Sequence, residues 1–288
     1  MSPHAADLLL IAHGTRDPRG AEEMQTLLGH VRAQLGVRVE AAWLEDFADP
    51  DAVTAAGRLR AQGTRRLITL PLLLLGAGHA KTDVPGAVSD LRTAFDDLTV
   101  THARVLGLHP ALFALARARL DAVSAPDARA DEALLVTGAG SSDPDANGDL
   151  AKAARFLAET SGHRWAEIAF AGVSWPTADV ALRRLHDAGV QRVTHFSWSL
   201  LAGLLERRVT GWLDEVGAET GLVIRDAGRF GPDPLVAEAV AGRYHEALDG
   251  DARMNCDLCQ YRLPLPGRER REGARSAGGT GERVHRAR

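Results

Sequence analysis

Only two cysteines occur in 288 residues, Cys256 and Cys259, both near the C-terminus. They are too close together to staple a fold. A disulfide-built secreted domain is therefore excluded, and a cytoplasmic setting is expected. No apolar run reaches the length needed to cross a bilayer, so no membrane association is expected. The opening residues, Met1-Ser-Pro-His-Ala-Ala-Asp7, show no basic region followed by an apolar core, so no secretion signal is read there. Positive charge is not in excess: 34 Lys and Arg against 38 Asp and Glu leave a net charge of −4, which argues against a nucleic-acid binder.

Short apolar runs alternate with longer amphipathic ones. Residues 8–12 read as a buried strand, followed by the polar loop His13-Gly-Thr-Arg16-Asp-Pro18-Arg-Gly20. A helix is expected over 21–35, ending at Gly36. A strand over 37–44 delivers Glu45, and a helix spans 50–61. The most distinctive stretch is Pro71-Leu-Leu-Leu-Leu-Gly-Ala-Gly-His79-Ala-Lys-Thr-Asp83-Val-Pro85. Its first part completes a strand expected over 67–75. Gly76 and Gly78 then relax the backbone and allow a ligand to approach the main chain. A helix over 86–95, a strand over 98–106 and a helix over 111–123 complete the unit. The alternation implies a parallel, Rossmann-like α/β sheet of about four strands flanked by helices.

After a polar stretch at 124–131, which reads as a linker, the pattern repeats. Shifted by about 126 residues, the chain falls on itself. Gly14-Thr15-Arg16-Asp17-Pro18 meets Gly140-Ser141-Ser142-Asp143-Pro144, and Pro50 meets Pro176. The expected organisation is two tandem Rossmann-like domains, 1–125 and 126–250, then a segment 251–288 whose Arg- and Gly-rich end suggests disorder. The repeat also acts as an internal control. His13 falls on Ala139, Glu45 on Ala171 and His79 on Leu205. Three polar residues placed past strands in the first half become apolar in the second, so the fold does not demand them. His109 falls on Asp233, each before a proline, and both read as helix starts rather than site residues. Trp165, Trp175, Trp198 and Trp212 are expected in core or interdomain packing.

Two imidazoles on neighbouring loops suit iron, cobalt, nickel or zinc, and two are too few for a closed structural zinc site. A histidine can equally act as a base, and a carboxylate at Glu45 can steady a cation or take a proton. His13-Gly-Thr-Arg, Trp43-Leu-Glu45 and the 71–85 stretch together resemble the CbiX-type sirohydrochlorin chelatases, the class II chelatases, in their long duplicated form. The resemblance implies an enzyme that inserts Co²⁺ or Fe²⁺ into the tetrapyrrole sirohydrochlorin. It implies the metal on His13 and His79, with His13 as proton acceptor. Glu45 and the loop Leu74, Leu75, Gly76, Ala77, Gly78 would contact the macrocycle, and Arg16 and Lys81 would face its carboxylates. Cys256 and Cys259 are candidates for an iron–sulfur cluster, by likeness to a Met-x-Cys-x-x-Cys motif in some long relatives. A homodimer is the one assembly entertained. Two rivals stand beside this reading. A tetrapyrrole or metal carrier on the same fold would have less need of Glu45. A nucleotide-binding protein is disfavoured, because the first loop has no glycine fingerprint.

Overall fold

The computed structural model describes residues 6–45 and 49–250. Each half builds one four-stranded parallel sheet. The first contains β1 (Asp7–Ala12), β2 (Val39–Trp43), β3 (Arg66–Pro71) and β4 (Thr99–His102), in the order β2-β1-β3-β4. The second contains β5 (Ala133–Gly138), β6 (Trp165–Phe170), β7 (Arg192–Ser197) and β8 (Val223–Arg229), in the order β6-β5-β7-β8. The orders are the same, as the repeat predicts. β1 is buried along its whole length, as a central strand covered by helices on both faces must be.

The helices follow the local signals. α1 (Pro18–Leu35) and its counterpart α5 (Pro144–Ser161) each start at an aspartate, Asp17 or Asp143, whose carboxylate accepts a backbone N–H two residues on. Both carry proline at the first helical position and end at a left-handed glycine, Gly36 or Gly162. α4 (Pro110–Val123) and α8 (Pro234–Leu248) start at His109 and Asp233, and each side chain accepts the N–H of the residue after the proline. His109 is thus the cap the repeat implies. α2 (Ala52–Ala61), α3 (Val84–Ala94), α6 (Ala178–Asp187) and α7 (Leu204–Thr220) complete the set.

The halves are not beads on a string. α1 and α4 pack against α8, and one continuous core joins Leu8, Leu27 and Leu112 to Leu134, Phe196 and Val240. Tyr244 Oη donates to Ala6 O at 2.6 Å across this seam. At Gly20 the main chains come so close that an added Cβ would stand 2.5 Å from Ala202 O. Among the described residues no helix is long and apolar enough to cross a membrane.

Four expectations need correction. β3 stops at Pro71, not 75: Leu72 is buried in a loop and Leu74 and Leu75 lean on the core, so their apolarity serves packing rather than pairing. β4 stops at His102, not 106, although Ala103, Val105 and Leu106 stay buried. The polar stretch 124–131 is no loose linker. Arg129 is fully buried and donates to Asp121, Ser124 O and Ser161 O, which ties the stretch to the ends of α4 and α5. Trp198 does join the halves, packing 5.4 Å from Phe113, and Trp212 packs on the second-half core. Trp165 and Trp175 instead lie exposed, Trp175 beneath the Arg184 guanidinium at 4.1 Å.

Candidate metal centre

In an open parallel sheet the crevice lies beyond the carboxyl ends of the strands, where the order reverses. Here that point is between β1 and β3, and three side chains meet there. His13 follows β1 at once. The β1–β2 ladder continues past the strands, with Leu44 N–H on Ala12 O at 2.9 Å and Glu45 N–H on His13 O at 3.1 Å. Those two bonds bring Glu45 beside His13, Oε1 to Nε2 3.4 Å. On the other side, Leu72 N–H reaches Ile11 O at 2.8 Å before the chain turns away. His79 then opens a single π-helical turn, His79–Asp83, that leads into α3. Such turns often occur at functional sites.

The His13 and His79 rings stand 4.4 Å apart, edge to face. One ligand atom from each of His13, Glu45 and His79 lies within 4.8 Å of the other two. Two imidazole nitrogens and a carboxylate oxygen form a donor set for a borderline divalent metal, with room for exchangeable ligands. Asp83 is the member that reading the sequence did not assign. Its Oδ2 lies 2.5 Å from His79 Nδ1, which places the proton on Nδ1 and leaves Nε2 to bind. The signal was present as an aspartate four residues past the histidine, one turn along a helix.

A cavity of about 430 Å³ opens between the halves. His13, Arg16 and Trp43 line it from the first half. Ala139, Ala171 and Leu205 line it from the second, and these are the three counterparts of the metal triad. Of the triad itself, His13 is the residue on this wall. The loop 74–78 is not part of the wall, whereas its counterpart 200–204 is. Leu74, Leu75, Gly76 and Ala77 are half-buried and Gly78 is exposed. Lys81 is held by two second-half carboxylates, Asp143 at 2.6 Å and Asp145 at 2.7 Å. Arg19 lies on Asp17 at 2.9 Å, and with Arg207 it holds that carboxyl far below the usual carboxylate range. Cys256 and Cys259 lie outside the described residues.

Three other histidines, His163 buried and His102 and His109 half-buried, stand apart from the site. His102, His109 and His163 are each pushed down to about 4, first by burial, with nearby arginines adding to it. They are neutral structural groups.

Comparison with known proteins agrees with the internal repeat. The chain matches the CbiX family over residues 7–123 and again over 133–247. It is 30% identical over 262 residues to the sirohydrochlorin cobaltochelatase of Priestia megaterium, covering 90% of this chain and 85% of that one. It is 22% identical over 212 residues to a sirohydrochlorin ferrochelatase of the same organism, covering 74% of this chain and 79% of that one. The fold superimposes on SirB from Bacillus subtilis with Fe³⁺ at a TM-score of 0.76. That match has 22% identity and covers 87% of this chain and 99% of that chain.

Proposed function

The chain belongs to the CbiX family, and on that premise we propose that it is a sirohydrochlorin chelatase, inserting Co²⁺ or Fe²⁺ into sirohydrochlorin. The observation that carries the reading is the meeting of His13, Glu45 and His79 at the strand ends, with His13 opening on the interdomain cavity.

The geometry suggests how the work is divided. The metal, a substrate here, docks on Nε2 of His79, which Asp83 holds in the right tautomer, and on Nε2 of His13. The apolar wall of Ala139, Ala171 and Leu205 suits the face of the macrocycle, and Arg16 on the same cavity suits its carboxylates. A pyrrole nitrogen lone pair then replaces a weakly held ligand on the metal. As ring nitrogens take the metal, His13 is released and its Nε2 becomes a base for a departing N–H proton. Glu45, 3.4 Å away, stabilises the imidazolium that results. Two ring protons leave, one to His13 and the other to water in the open cavity, and one divalent metal enters, so charge balances without any covalent intermediate. The protein contributes placement and deprotonation.

The test is anaerobic metal insertion followed by absorbance, with Co²⁺ and Fe²⁺ in parallel. Insertion above the uncatalysed rate should fall by about 10²–10⁴-fold in His13→Ala and be lost similarly in His79→Ala. A wild-type rate equal to the blank would sink the chelatase reading in favour of a carrier.

A further inference from the structure

Among the ion pairs that join the halves, two are carried onto one another by the internal repeat. Lys81 Nζ lies 2.6 Å from Asp143 Oδ2, and an Arg207 guanidinium nitrogen lies 2.6 Å from Asp17 Oδ2. Residues 81 and 207 are counterparts, as are 17 and 143. In each pair, a cation beyond the third strand of one half meets the aspartate that caps the first helix of the other half. This is the geometry of a two-fold interface, in which each side presents the same patch.

The chemistry is not symmetric. Lys81 stands two residues past His79, inside the same π-helical turn. Asp17 ends the short loop that begins at His13, and within that loop Thr15 Oγ1 donates to Ala202 O at 3.2 Å. The second half thus grips both loops that carry a histidine, while placing Ala139, Ala171 and Leu205 where it could have offered ligands of its own.

We propose that the second half is the jig of the metal site. Asp143 and Asp145 acting on Lys81, and Arg207 acting on Asp17, set the separation of His13 and His79. Lys81 and Arg207 are positioning residues, and Lys81 is not a contact to the macrocycle. The inference rests on His13 and His79 being the metal ligands. Lys81 is suited to the task because its side chain is only 30% exposed and its ammonium bridges two carboxylates, which ties it down more firmly than a single surface pair would.

Another cross-half pair supplies the control. Arg119 reaches Asp233 at 3.2 Å but joins α4 to the start of α8, away from both ligand loops. The experiment is anaerobic Co²⁺ titration of the full chain, read from the visible ligand-field bands, with folding checked by thermal melting. Lys81→Met and Arg207→Met should each weaken Co²⁺ binding by about tenfold, and Lys81→Arg should restore most of it. Arg119→Met should leave affinity within about twofold. Wild-type affinity in both Met variants would overturn the proposal, as would an equal loss in Arg119→Met. So would a Lys81→Met enzyme that binds Co²⁺ normally and shows only a raised KM for sirohydrochlorin. Co²⁺ binding that survives His79→Ala would instead bring down the ligand assignment beneath it.

Discussion

The two halves share a strand order, matched helix caps and a common core, yet differ where chemistry would occur. At one strand end stand His13, Glu45 and His79; at the corresponding end stand Ala139, Ala171 and Leu205. The loops after the third strands diverge as well. In the first half the chain enters a π-helical turn that presents His79. In the second half the corresponding loop docks on α1, where Ala202 N–H reaches Glu23 at 2.8 Å and Ala202 O crowds Gly20. The difference between the halves lies in a few side chains past the strands, above sheets of the same strand order.

The largest effect short of removing a ligand should come from Asp83. Asp83→Asn keeps the shape but weakens the hold on His79 Nδ1–H, so Co²⁺ affinity should fall by about 10–100-fold, measured by anaerobic titration. Unchanged affinity would place His79 outside the metal site and remove the contrast with Leu205.

Gly20 probes the docked loop. Gly20→Ala would push a Cβ to 2.5 Å from Ala202 O and 2.8 Å from Thr15 Cγ2, main chain and a short side chain that have little room to give. A loss of about 1–3 kcal/mol in chemical denaturation is expected. The second half already carries alanine at the counterpart, Ala146, so the comparison is built into the chain. A neutral Gly20→Ala would mean the two docking modes differ less than the geometry indicates.

The most diffuse effect is on pH. His102, His109 and His163 have folded values near 4 against 6.5 for the free side chain. Between those values the unfolded chain binds more protons than the folded one. Stability should therefore be flat above about pH 6.5 and fall as pH drops towards 4. Thermal melting across that range checks the sign. His102→Thr and His163→Thr should each flatten the slope, one from each half.

Much of this was legible from the residues. Alternating apolar runs located the strands, the His109–Pro110 and Asp233–Pro234 pairs marked two helix starts, and the repeat singled out the three polar residues that the fold does not demand; Asp17–Pro18, read as loop, instead opens α1. Other features were hidden for physical reasons. Leu72 to Leu75 are as apolar as a strand because they form a loop packed on the core, and periodicity does not distinguish the two. Residues 124–131 are polar like a linker, but Arg129 is buried and bonds to Asp121 and to the main-chain oxygens of Ser124 and Ser161. Asp83 was visible only as a spacing. The role of Lys81 depended on Asp143, 62 residues away, and no local pattern announces such a partner. The cavity could not be read either, because its walls come from both halves and exist only once they dock.

Metal binding is expected in the first half and not in the second. The most direct measurement is the number of Co²⁺ ions bound tightly per chain under anaerobic conditions, with wild type set beside His79→Ala. The account predicts one Co²⁺ per chain in the wild type and none in the variant. Two per chain, or one that persists in His79→Ala, would contradict it.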